Sequence, residues 1–130
     1  MTSNSRYLES VQQQFLSYKD LGEKSIAQLE PEMLFIRPNE ESNSIAMIIQ
    51  HMHGNMLSRW TDFLTSDGEK EWRQRDAEFE EVLKNKEEVM QIWEEGWSCL
   101  LNSINELNDT MLGNTVFIRN EPHTVTEAIN

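Results

Sequence analysis

The sequence predicts an all-α protein, a four-helix bundle whose fourth helix is only begun. Three observations carry that reading. Apolar residues recur at three-and-four spacing along three long stretches, the mark of helices with one buried face. Only one short run, Thr115 to Arg119, is strongly β-prone. Near the C-terminal end, Thr124 stands three residues ahead of Glu127, the reciprocal capping box that opens a helix.

The first helix is expected over residues 3–29, with Leu8, Val11, Phe15, Tyr18, Ile26 and Leu29 on one face and Gly22 as a tolerated weak point. Pro31, Pro38 and the polar run Asn39 to Asn43 then break the pattern, and Asn43 or Ser44 offers a side-chain oxygen to cap the next helix. That second helix is expected at about 44–64, turning Ile45, Ile48, Ile49, Met52, Met56, Trp60 and Phe63 inward. A loop built on Ser66-Asp67-Gly68-Glu69-Lys70 follows. The third helix is expected from Phe79 to about Leu107, where Trp93 and Trp97 stand one turn apart and should stack, and Glu80, Glu81, Glu87, Glu88, Glu94 and Glu95 form a solvated face. Thr115 to Arg119, bent back by Asn120-Glu121-Pro122, suggests a short strand or hairpin, and the fourth helix starts near residue 125. Residues 1–130 read as a single domain. Three amphipathic helices leave part of each apolar stripe uncovered, so a partner chain or, the preferred expectation, a longer reading frame completes the bundle.

Composition limits the function classes. Eleven Lys and Arg against 23 Asp and Glu give a net charge of −12, which opposes binding to a phosphate backbone. Nucleic acid is not an expected partner. The longest uncharged apolar stretch, Ser42 to Met52, falls short of the roughly 18 residues of a membrane span, and the first ten residues lack the pattern of a signal peptide. A cytoplasmic protein without a membrane partner is the expectation. Cys99 is the only cysteine, so no internal disulfide, CxxC pair or thiolate zinc cage can form.

The sequence contains no GxGxxG, GxxxxGK[ST], GxSxG, HExxH or Glu-x-x-His motif. Three histidines remain as candidates. His51 and His53 both fall in the second helix, where residues turn by about 100° each, so their rings diverge by about 200° and cannot share an ion. The helix can contribute one of them. Relative to the apolar stripe, His53 lies about 80° to one side and His51 about 120° to the other, beside Ile48 and Asn55. His123 stands alone in a turn. No nucleophile has a base beside it, and no catalytic residue can be named.

The segment Ser44-Ile45-Ala46-Met47-Ile48-Ile49-Gln50-His51-Met52 resembles the second-helix signature of the DinB/YfiT-like superfamily, in which a Ser-Ile start is followed by a His six residues after the Ile. Arg37 to Ser44, Asp67-Gly68-Glu69-Lys70 and Ile118 to His123 resemble one branch of it whose members mostly lack assigned function. The resemblance spans nearly the whole chain and implies an up-down-down-up bundle with a long crossover between the second and third helices, usually a homodimer. In complete members a divalent ion such as nickel or zinc is held by one His of the second helix and a His-x-x-x-His pair of the fourth. The first ligand falls on His51, whereas His53 and His123 match no ligand position and the fourth-helix pair is absent from these residues.

Relatives of known activity are largely S-transferases and isomerases that use low-molecular-weight thiols such as bacillithiol, mycothiol or glutathione. The expectation is therefore a divalent-metal-binding protein with His51 as ligand, a thiol-dependent S-transferase in its complete form. The alternatives are a non-catalytic dimeric interaction protein and a metal-dependent hydrolase.

Overall fold

The structure, a computed structural model, describes residues 6–130; residues 3–5 of the expected first helix lie outside them. It is mostly helical. Helices α1 (Arg6–Ala27), α2 (Ile45–Trp60), α3 (Lys86–Asn105) and α4 (Val125–Ile129) are joined by three 3₁₀ turns and a two-stranded antiparallel hairpin, β1 (Thr115–Ile118) and β2 (Glu121–Thr124).

The ends of these helices follow local capping chemistry. Ser44 is the N-cap of α2, its hydroxyl accepting from the Met47 N–H at 3.1 Å. Both halves of the Thr124–Glu127 capping box are formed at α4. The third helix departs from expectation. It begins at Lys86, not Phe79, because Asn85 is extended at φ −148° and its side chain accepts from the Glu88 N–H. Glu88 reaches back to the Lys84 N–H at 2.8 Å, so two otherwise orphan donors are satisfied there. Residues 77–79 form a 3₁₀ turn instead, and Glu80 and Glu81 belong to an extended connection. The second helix likewise ends at Trp60, before a turn in which Asp62 takes φ 49°.

The core centres on the α2–α3 interface. Met56, Trp60 and Phe63 meet Trp93, Trp97 and Leu100, all buried. Gly96 lets the helices approach, since a Cβ there would sit 2.9 Å from the Met56 sulfur. Trp93 and Trp97 are tilted rather than stacked, with ring centroids 5.8 Å apart at 57°. Phe15 of α1 presents an edge to both Trp60 and Trp97, the geometry that aromatic quadrupoles favour. Of the α2 residues expected inward, Ile48 is not covered; it is 47% exposed.

The seam between α1 and α3 explains Gly22. Its position is crossed by the Trp93 ring, whose Cζ2 would lie 2.8 Å from a Cβ. The Trp93 indole N–H donates to Glu23, and Lys19 bridges Glu23 and Glu94. The Lys19 ammonium, with the indole donor, holds the Glu23 carboxyl below the usual carboxylate range.

The hairpin is pinned from outside. Its two-residue turn, Arg119–Asn120, has φ of 53° and 64°, as a type I′ turn requires. The Asp67 carboxylate accepts from the backbone N–H groups of Arg119, Asn120 and Glu69 at 2.7–2.9 Å, and the Gly68 N–H donates to the Phe117 carbonyl. Between α1, α2, α3 and the start of α4 an open, largely apolar groove of about 910 Å³ remains, floored by Trp60, Trp93 and Trp97.

Two outcomes are expected from this packing. Gly22→Ala gains helix propensity of about 1 kcal/mol but overpacks the Trp93 ring, an effect of about 1–3 kcal/mol; thermal unfolding should show a lower Tm with altered near-ultraviolet tryptophan dichroism. Asp67→Asn replaces an acceptor oxygen with a donor against backbone N–H groups. Those N–H groups lower the Asp67 pKa, so its stabilisation is full above the ordinary Asp value of about 3.9 and drains away as pH falls through the lowered value. The Tm gap between wild type and Asp67→Asn should be widest at neutral pH and should close in acid.

Candidate functional site

One face of α2 is built to receive the crossover that follows it. Gln50, Gly54 and Ser58 recur at four-residue spacing and therefore line one stripe of the helix. Each takes a different part of the connection. Gln50 Nε2 donates to the carbonyls of Glu78 and Glu80, both at 2.9 Å. Gly54 leaves room for the Glu78 carboxylate, which any Cβ at that position would overlap. Ser58, fully buried, donates to the Gly68 carbonyl and accepts from the Lys70 N–H. Lys70 in turn donates its ammonium to the Ser58 and Asp67 carbonyls at 2.6 Å, and burial pushes its pKa below the usual lysine value.

His51 stands at the edge of that stripe. Its Nδ1 is 3.0 Å from Glu78 Oε1, and its ring stacks on Phe79 with centroids 5.0 Å apart. The side chain is 41% exposed, and Nε2 has no hydrogen-bond partner among the described residues. Glu78 is buried and clamped by Arg73, whose Nε and Nη2 donate to the two carboxylate oxygens at 3.0 and 3.1 Å. Arg73 itself is 3% exposed along its side chain. Such a bidentate fork fixes the carboxylate in position as well as charge. Nearby, Arg75 grips Glu69 in the same two-pronged manner and holds its carboxyl below the usual range.

The other histidines lie apart. His53 faces α3, its Nε2 buried without a hydrogen-bond partner and 3.7 Å from Glu95. His123, on β2 opposite Val116, lines the apolar groove. Cys99 Sγ contacts the Thr61 hydroxyl and the Met56 carbonyl and lies within electrostatic reach of Lys70. No group of three or more His, Cys, Asp or Glu side chains capable of holding a metal occurs among the described residues. His51 alone has an imidazole nitrogen held at a part-open edge, a donor suited to nickel or zinc, so it fits one corner of such a site and the described residues do not complete it.

Inspection of the sequence names His51 but misses Gln50, Gly54, Arg73 and Glu78. The available signal is the four-residue spacing of Gln50, Gly54 and Ser58, small or polar residues in line along one face of the helix. None of them bears a metal-binding or nucleophilic signature, and their partners lie 10 to 30 residues away.

Comparison with known proteins finds no match among curated proteins and none among solved structures. A family profile, described as a protein of unknown function (DUF1572), matches residues 2–130. The chain, with its crossover anchored on the polar stripe of α2, thus belongs to the DUF1572 family.

Proposed function

We propose that the chain is a DinB-like divalent-metal-binding protein in which Nε2 of His51 is one ligand of a nickel or zinc ion. The observation that carries this reading is the state of His51: the imidazole is held by Glu78 and Phe79 at a part-exposed edge while Nε2 stays without a partner. Its place in the Ser44-to-Met52 signature supports the same assignment. The remaining ligands come from outside the described residues, as in the up-down-down-up bundle where a fourth helix lies along the groove between α1, α2 and α3.

The reaction class we assign is thiol-dependent S-transfer with a low-molecular-weight thiol as cosubstrate, in a homodimer. A divalent ion supplies the charge that lowers a thiol's pKa and yields a thiolate nucleophile. The chain's own residues do the positioning: α2 carries the ligand and the Phe79 ring, stacked on the imidazole, restricts its rotation. A second reading, a non-catalytic dimeric interaction protein, is favoured by the exposed apolar side chains of Tyr18 and Leu21 on the groove wall.

Titration of the full-length protein with nickel(II) and zinc(II), followed by elemental analysis, separates the two. Saturable binding is expected in the wild type and a loss of at least about tenfold in His51→Ala, in line with removal of one ligand. Wild-type protein that takes up neither ion overturns the metal reading and leaves the interaction protein. Turnover of an electrophile that requires both metal and added thiol supports S-transfer, whereas metal-dependent turnover without thiol points to hydrolysis.

A further inference from the structure

A histidine that ligates through one nitrogen is only as well placed as the partner of its other nitrogen allows. In this chain that partner is built in. The Glu78 carboxylate comes from the crossover, 27 residues after His51, yet it is among the most constrained side chains nearby. Arg73 fixes both its oxygens. Gln50 fixes its backbone carbonyl. The missing Cβ of Gly54 leaves the space that the carboxylate occupies against α2.

A carboxylate held by a guanidinium has acceptor oxygens only. The 3.0 Å contact between Glu78 Oε1 and His51 Nδ1 therefore requires Nδ1 to carry the proton. Neutral imidazole has a single N–H, so Nε2 is then the nitrogen with the free lone pair. We propose that Glu78, clamped by Arg73 and admitted by Gly54, is a positioning residue that holds His51 in its Nδ1–H tautomer and directs Nε2 outward as a ligand. This rests on the assignment of His51 as a metal ligand, but its first consequence is visible without any metal.

That consequence is the tautomer itself. Long-range ¹H–¹⁵N correlation spectra of metal-free protein, taken about two units above the ordinary histidine value of about 6.5, distinguish the two ring nitrogens. The wild type should show a protonated Nδ1 and an unprotonated Nε2. Glu78→Ala and Gly54→Ala should both release the ring to the Nε2–H form. The Gly54 variant matters because alanine strengthens the helix and keeps the Arg73, Glu78 and His51 side chains themselves, so a change in the ring then reports the displaced carboxylate rather than a deleted one. A wild-type ring protonated at Nε2, or an Nδ1–H ring retained in both variants, overturns the proposal.

With nickel(II) or zinc(II) added, both variants should bind about 10- to 100-fold more weakly than wild type, the usual cost of losing a ligand's hydrogen-bond partner. Unchanged affinity in both variants also overturns it. If the wild type binds no metal, the assignment of His51 as a ligand fails, while the tautomer spectra still decide whether Glu78 sets the ring.

Discussion

Helix α2 has to satisfy two neighbours of opposite character. On one side it meets α3 through Met56, Trp60 and the close approach at Gly96; on another it carries the crossover through Gln50, Gly54 and Ser58. The second contact is the constraint on which the site and the hairpin depend. Residues 61–85 contain little regular structure, so their backbone groups cannot be satisfied by a ladder of their own. The stripe on α2 supplies fixed donors and acceptors instead. Once Gly68, Lys70 and Glu78 are tied to it, Asp67 can hold the Arg119–Asn120 turn and Glu78 can hold His51.

The charge distribution follows the same geography. In a chain of net charge −12 with eleven basic residues, Arg59, Lys70, Arg73, Arg75 and Arg119 gather around the crossover and hairpin, where they share the carboxylates Asp67, Glu69 and Glu78. The buried members matter most. Arg73 and Glu78 form a nearly closed bidentate pair whose loss on one side would strand a charge in the interior. Ion pairs on the outer faces of α1, such as Asp20 with Lys24, are exposed and contribute little.

How much of this the sequence discloses depends on the range of the interaction involved. The capping box at Thr124 and Glu127 and the Ser44 cap are contacts between residues three apart, and they are legible in the sequence. The start of α3 misleads because Phe79 and Leu83 continue the apolar rhythm of the helix behind them, while the cap that wins, Asn85 with Glu88, lies inside a charged run. Gly22 reads as a weak point in its helix, yet it and Gly54 are both places where another side chain, Trp93 or Glu78, occupies the volume a Cβ would need. The signature singles out His51 as a candidate but says nothing of Glu78, since nothing local links the ring to a glutamate 27 residues on.

The spacing of the anchors also limits how the crossover can vary in length. Between Gly68 and Glu78 the chain is tied to α2 at both ends and braced by Arg73 and Arg75 in between, so an added residue there would shift Glu78 out of register with Gly54. Beyond Glu80, whose carbonyl is the last one held by Gln50, the backbone runs extended and largely exposed to the Asn85 cap. Insertions and deletions among family members should therefore collect between Glu80 and Asn85, leaving the eleven residues from 68 to 78 constant in number.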